Sequence, residues 1–224
     1  MADETAALHW GVAPAQARVL CVFLHGRGQI PEDITQTIIG RLRVDDVHYV
    51  LPRAEGKSWY KASAVDDLSD LTAAQVSAAL AQIRSDALEA IEAGAPARGL
   101  IVAGFSQGAC MALEAVLQQA LVAKALAVLT GCRVGDGSAP VPTAALLGLS
   151  AYLSCGDVDE WIPLDSAART QVALSAAGAR VRSDIFPGRA HGVSDTEIRV
   201  LEEMIGAVAE GRAPFETAAA RSIG

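Results

Sequence analysis

The chain has 224 residues and a formal net charge of −8, with 26 acidic against 18 basic residues. This acidic balance, without a basic stripe, argues against nucleic acid or anionic membranes as general partners. Hydrophobic residues make up 51% of the chain and aromatics only 4%. Ala, Val and Leu must therefore fill one large core, as suits helices packed closely on a sheet.

Met1-Ala2-Asp3-Glu4 lacks the positive segment and apolar run of a signal peptide. The one stretch long enough to span a membrane, 109–129, is interrupted by Glu114, Gln118, Gln119 and Lys124. Cys21, Cys110, Cys132 and Cys155 are scattered without metal-ligand spacing, and three lie in or beside apolar runs, as inert buried thiols do. The expectation is a cytoplasmic protein with no metal, no cofactor and no integral membrane association.

Strand-like and helix-like segments alternate along the chain, the pattern of a mainly parallel sheet covered on both faces. Residues 18–24 form an apolar run ending in His25-Gly26, which predicts a central buried strand. A helix follows over 31–42, with Ile34, Ile38 and Leu42 four apart, then a strand over 47–51 stopped by Pro52. The polar loop 53–70 holds Trp59 and Tyr60. Thr72 and Gln75 have capping-box spacing, and Val76, Leu80, Ile83, Ala87 and Ile91 continue one helical face until Gly94 and Pro96.

A strand over 99–103 runs into Gly104-Phe105-Ser106-Gln107-Gly108 and a helix to about residue 120. Strands are predicted over 125–129, 151–154 and 179–186, with a helix over 164–177 ended by Gly178. Ser194 and Glu197 form a second capping box before a helix whose apolar face is Ile198, Leu201, Ile205 and Val208. The division expected is one domain over 1–210 and a loosely ordered tail over 211–224.

The strongest chemical signal is Gly104-Phe105-Ser106-Gln107-Gly108, because it falls between a strand and a helix. An ordinary glycine-rich turn could produce the bare pattern. The strand–turn–helix setting favours a nucleophile held on a sharp turn. A serine needs a base, and His191, in Gly188-Arg-Ala-His-Gly192 between the last strand and last helix, is best placed. His9 and His48 read as structural or exposed, and His25 as part of a loop architecture.

An imidazole in this role needs a carboxylate partner. Asp157, Asp159 and Glu160 share one loop at the carboxyl end of a strand, where α/β sheets place their sites. Spacing alone does not separate Asp157 from Asp159. Donors for an oxyanion would be the N–H of Gln107 and one from His25-Gly26-Arg27-Gly28. Without GxGxxG or a P-loop lysine, that loop is not read as a nucleotide site.

These motifs, with Pro52 through Trp59-Tyr60 between them, occur in an order that resembles the phospholipase/carboxylesterase group of small α/β-hydrolases. That group includes bacterial carboxylesterases and acyl-protein thioesterases. The resemblance covers residues 19–208. It implies an α/β-hydrolase fold with Ser106 as nucleophile, His191 as base and Asp159 as acid, and the short loops between elements leave little room for a large lid domain. It also implies oxyanion donors from Arg27 and Gln107, and Trp59 near the acyl pocket, although a loop tryptophan packed on the edge of the core reads equally well.

Arg27-Gly28-Gln29 stands where thioesterase-like members have Leu-Gly-Asp, which is closer to a bacterial esterase branch. Trp161, beside the acid, either narrows the pocket or covers its loop, and Arg27 could orient an anionic group if it faces the cleft. The expected activity is hydrolysis of small to medium carboxylic esters by a serine carboxylesterase. The alternatives are an acyl-protein thioesterase or lysophospholipase with the same residues, and, less favoured, a non-catalytic hydrolase-like binding protein. A homodimer is left open.

Overall fold

The computed structural model describes residues 6–135 and 146–216. Seven strands form one sheet in the order β1-β3-β2-β4-β5-β6-β7. They are β1 (Leu8–Gly11), β2 (Val19–Leu24), β3 (Val47–Leu51), β4 (Leu100–Phe105), β5 (Ala125–Leu129), β6 (Ser150–Gly156) and β7 (Arg180–Phe186). All neighbours pair in parallel except β1, which runs antiparallel to β3.

The apolar runs explain the centre of this order. Every residue of β2, β3, β5 and β6 is buried, as strands covered on both faces require. Along β2, Leu20, Val22 and Leu24 face one core while Val19, Cys21 and Phe23 face the other. The first core is closed by α2 (Asp70–Glu92), α3 (Gln107–Leu117) and α4 (Leu164–Ala176). The second is closed by α1 (Pro31–Thr37) and α5 (Asp195–Ala209). This is the expected α/β-hydrolase architecture, and no large lid interrupts it among the described residues.

Local chemistry moved several boundaries. The helix expected over 31–42 stops at Thr37, and a 3-10 turn over Ile39–Arg41 continues the chain. Helix α2 begins at Asp70 because Ser69 caps it, its hydroxyl accepting the Thr72 N–H at 3.2 Å. Ser194 and Glu197 do form the reciprocal capping box at the start of α5. Strand β1 was not foreseen, and its ladder with β3 runs from Leu8 opposite Leu51 to Gly11 opposite His48.

At the other terminus Ser150 Oγ donates to the Pro214 carbonyl at 3.0 Å, and Phe215 stacks near Tyr152 and Arg182. The remainder of the expected tail, 217–224, lies outside the described residues. Among the described residues no helix is long and apolar enough to cross a membrane.

Candidate active site

Ser106 occupies the turn between β4 and α3 with φ 56° and ψ −124°, a left-handed conformation that side chains adopt only under constraint. Its N–H donates to the Leu129 carbonyl at 3.0 Å, tying the turn to β5. The flanking glycines are sterically required. A β-carbon on Gly104 would stand 2.2 Å from the Gly108 oxygen, and one on Gly108 would stand 2.2 Å from the Leu24 oxygen. Either substitution would push α3 away from the sheet.

The loop after β2 approaches the same turn. His25 is buried, donating from Nδ1 to the Gly26 carbonyl at 2.8 Å and accepting the Ala54 N–H on Nε2 at 3.1 Å. These two bonds require the neutral ring, and burial holds its pKa below the ordinary value, with the Arg53 charge acting in the same direction. Gln29 accepts the Gly26 N–H at 2.8 Å. The N–H groups of Arg27 and Gln107 have no protein acceptor among the described residues, so both are available to a ligand. The Gln107 N–H also belongs to the first turn of α3, whose dipole favours negative charge there.

The side chain of Gln107 fastens a second wall. Its Nε2 donates to the Tyr60 carbonyl at 2.7 Å, and its Oε1 accepts the Trp59 N–H at 3.1 Å and the Ser58 hydroxyl at 3.3 Å. Trp59 itself is buried, with Nε1 donating to the His25 carbonyl at 2.8 Å and its ring 4.9 Å from that imidazole. This corrects the expectation that put Trp59 against the acyl pocket: its indole braces the His25 loop from behind, and Tyr60 lines the cavity instead.

The carboxylate and imidazole come from the loops after β6 and β7. Asp159 Oδ2 lies 2.8 Å from His191 Nδ1, and Oδ1 accepts the N–H groups of Trp161 and Ile162 at 2.9 and 3.0 Å. The Asp159 side chain is fully buried. Asp157 does something else, its Oδ1 accepting the Gly188 N–H at 2.6 Å and so stitching the two loops together. At Gly156 a β-carbon would sit 1.9 Å from the Arg189 oxygen, so only glycine lets the loops meet this closely.

Arg189 pairs with the fully buried carboxylate of Glu197, whose Oε2 also accepts from the Ser194 N–H and hydroxyl. The Arg189 guanidinium stacks over Phe186, 4.4 Å from its ring centre. The segment carrying His191 is thus anchored on both sides.

Ser106, His191, Arg27, Gln107 and Trp161 all line one cavity of about 460 Å³. Among the described residues no hydrogen bond links the Ser106 hydroxyl to the imidazole. With Nδ1 engaged by Asp159, Nε2 is the nitrogen left to meet a hydroxyl. Trp161 lines the cavity while 64% exposed. A larger depression of about 690 Å³, lined by Trp10, Asp46 and Tyr49 at the β1 edge, contains none of these groups.

All four cysteines are free and buried, and burial pushes the Cys21 and Cys155 thiols up to about 12 and about 11. Among the described residues no three His, Cys, Asp or Glu side chains are placed to hold a metal ion.

Sequence reasoning did not find the roles of Gln29, Tyr60, Arg189, Glu197 and the Gln107 side chain. Glu197 was visible only as a capping residue, and nothing in the local pattern pairs it with Arg189.

Comparisons with known proteins bear on the family and the fold. Residues 11–209 match the phospholipase/carboxylesterase family. A phospholipase/carboxylesterase from Dyadobacter fermentans superposes with a TM-score of 0.82 at 27% identity, over 90% of this chain and 96% of that one. Zea mays acyl-protein thioesterase 2 (TM-score 0.71, 19% identity, 90% and 99% covered) shares the fold. So does a carboxylesterase from Mesorhizobium loti (0.70, 20%, 89% and 93%). Among curated proteins no sequence match is found. With the family match spanning nearly the whole sheet and the loops at its carboxyl edge, this chain belongs to the phospholipase/carboxylesterase family of α/β-hydrolases.

Proposed function

We propose that the protein is a serine carboxylesterase acting on small to medium esters, with Ser106, His191 and Asp159 as its triad. The observation that carries this reading is the His191–Asp159 hydrogen bond, opening onto the same cavity as a strained Ser106. The buried carboxylate fixes the tautomer that presents Nε2 and stabilises the imidazolium that forms when the ring takes a proton.

The reaction proceeds in two halves. Ser106 Oγ bonds to the ester carbonyl carbon while His191 Nε2 takes the hydroxyl proton. The oxyanion is met by the Arg27 and Gln107 N–H groups, each of which contributes on the order of 3 kcal/mol in comparable sites. The carbon–oxygen bond to the alcohol then breaks, and the alcohol leaves with the proton from His191. Water repeats the sequence on the acyl-enzyme, giving up a proton to His191 and releasing the acid and Ser106.

The open, modest cavity favours esters with short or medium chains over long acyl thioesters, although a thioesterase would use the same groups. Four buried free thiols suit a reducing compartment such as the cytoplasm. Hydrolysis of 4-nitrophenyl butyrate, with an initial burst of nitrophenol equal to the enzyme concentration, tests the reading. Ser106→Ala is expected to lower kcat by at least about a thousandfold. Wild-type turnover in that variant would overturn it, and faster cleavage of palmitoyl thioesters than of butyrate esters would favour the thioesterase.

A further inference from the structure

The cavity is polar at one end in a specific way. Arg27 lines it, and its guanidinium donates from Nη1 to the Lys61 carbonyl at 2.8 Å and from Nη2 to the Ala62 carbonyl, with Tyr60 beneath, 5.8 Å from ring centre to guanidinium carbon. These bonds fix the guanidinium in place without cancelling its charge, because both acceptors are neutral. Among the described residues no carboxylate lies within ion-pair distance of Arg27, and no acidic side chain lines the cavity.

Two further donors stand beside it. Gln29 has committed its oxygen to the Gly26 N–H, which leaves its amide N–H₂ for the cavity. Ser63 follows directly on the carbonyls that Arg27 holds; its backbone N–H donates to the Asp66 carboxylate at 2.7 Å, and its hydroxyl makes no hydrogen bond among the described residues. Asp66 itself does not line the cavity. A guanidinium, an amide N–H₂ and a hydroxyl, with no acid in the cavity lining, match a carboxylate better than an apolar chain end.

We propose that Arg27, Gln29 and Ser63 bind a carboxylate carried by the substrate, so that the enzyme prefers esters bearing an anionic group. This rests on the esterase reading above. The net charge of −8 opposes an approaching anion. Salt screens that field over roughly 8 Å, however, so the fixed local charge dominates once the ester enters the cavity. Bonding to the Lys61 and Ala62 carbonyls rather than to carboxylates is what keeps the Arg27 charge available.

The test uses matched pairs: 4-nitrophenyl hydrogen adipate against 4-nitrophenyl hexanoate for the acyl side, and 4-acetoxybenzoate against its methyl ester for the alcohol side. In at least one pair, kcat/KM for the anion relative to its neutral partner is expected to fall about tenfold in Arg27→Met, chiefly through KM. The ratio is informative whatever common factor alters both substrates. Arg27→Lys should restore part of it, and in the wild type it should decline with added salt. Ratios unchanged by Arg27→Met in both pairs, or a wild-type preference indifferent to salt, would overturn the proposal.

Stabilisation of the folded protein by benzoate but not benzamide, at equal ionic strength and lost in Arg27→Met, reads the carboxylate site without turnover. Stabilisation without ester hydrolysis would leave the anion site standing and remove the esterase. Hydrolysis with neither stabilisation nor preference would do the reverse.

Discussion

Asp159 and His191 are held 2.8 Å apart by a carboxylate whose second oxygen is already occupied by two backbone N–H groups. Asp159 therefore cannot rotate away without breaking three hydrogen bonds. Asp159→Asn keeps the shape but lets the side-chain amide face Nδ1, which favours the wrong tautomer. The expected fall in kcat is about a thousandfold or more. Asp157→Ala, which removes only the stitch to Gly188, should cost less than about tenfold while lowering stability. Steady-state kinetics on both variants separates the two aspartates, which spacing alone left open, and equal losses would refute the assignment.

His25 makes folding sensitive to acid. Its folded pKa lies below 6.5 because the ring is buried, so an unfolded chain takes up a proton on it at higher pH than the folded one does. The unfolded state binds more protons in that window, and stability, complete above about 6.5, declines as pH falls below it. His9, lowered by burial and by the His48 charge, acts in the same sense. Urea unfolding at about pH 7.5 and 5.5 should show the wild type losing stability and His25→Gln losing less. An unchanged pH slope in that variant would remove His25 as the cause.

Asp86 works in the opposite direction. Burial, reinforced by Glu89, pushes its carboxyl up to about 6 from 3.8, and Oδ2 is buried without a hydrogen-bond partner among the described residues. The folded chain holds that proton more tightly than the unfolded one. The associated stability is therefore present at low pH and lost as pH rises through about 6. Asp86→Asn should raise stability above that point by about 1 kcal/mol, allowing for screening at a half-buried site. A melting-temperature rise of roughly 2–4 °C is expected, shrinking as pH is lowered towards 4.

The sequence made the centre of the fold legible because burial on both faces leaves continuous apolar runs, as in β2, β5 and β6. Strand β1 left no such trace. Three of its residues are exposed, and it exists because β3 offers it an antiparallel edge. The turn that carries Ser106 was legible because its glycines answer to local sterics. The two readings of Trp59 could not be separated in the sequence, since which of two neighbouring aromatics faces the cavity depends on the Gln107 staple, a contact across 48 residues. The Arg189–Glu197 anchor is hidden for a related reason, as a buried ion pair resembles two surface charges until the helix is docked.

The most direct measurement is reaction of the folded protein with a fluorophosphonate, which loses fluoride as an activated serine oxygen bonds to phosphorus, followed by peptide mapping. A single adduct on the peptide containing Ser106 is predicted, absent in Ser106→Ala and at least about a hundredfold slower to form in His191→Ala. An adduct at another residue, or none on the folded wild type, would contradict the account.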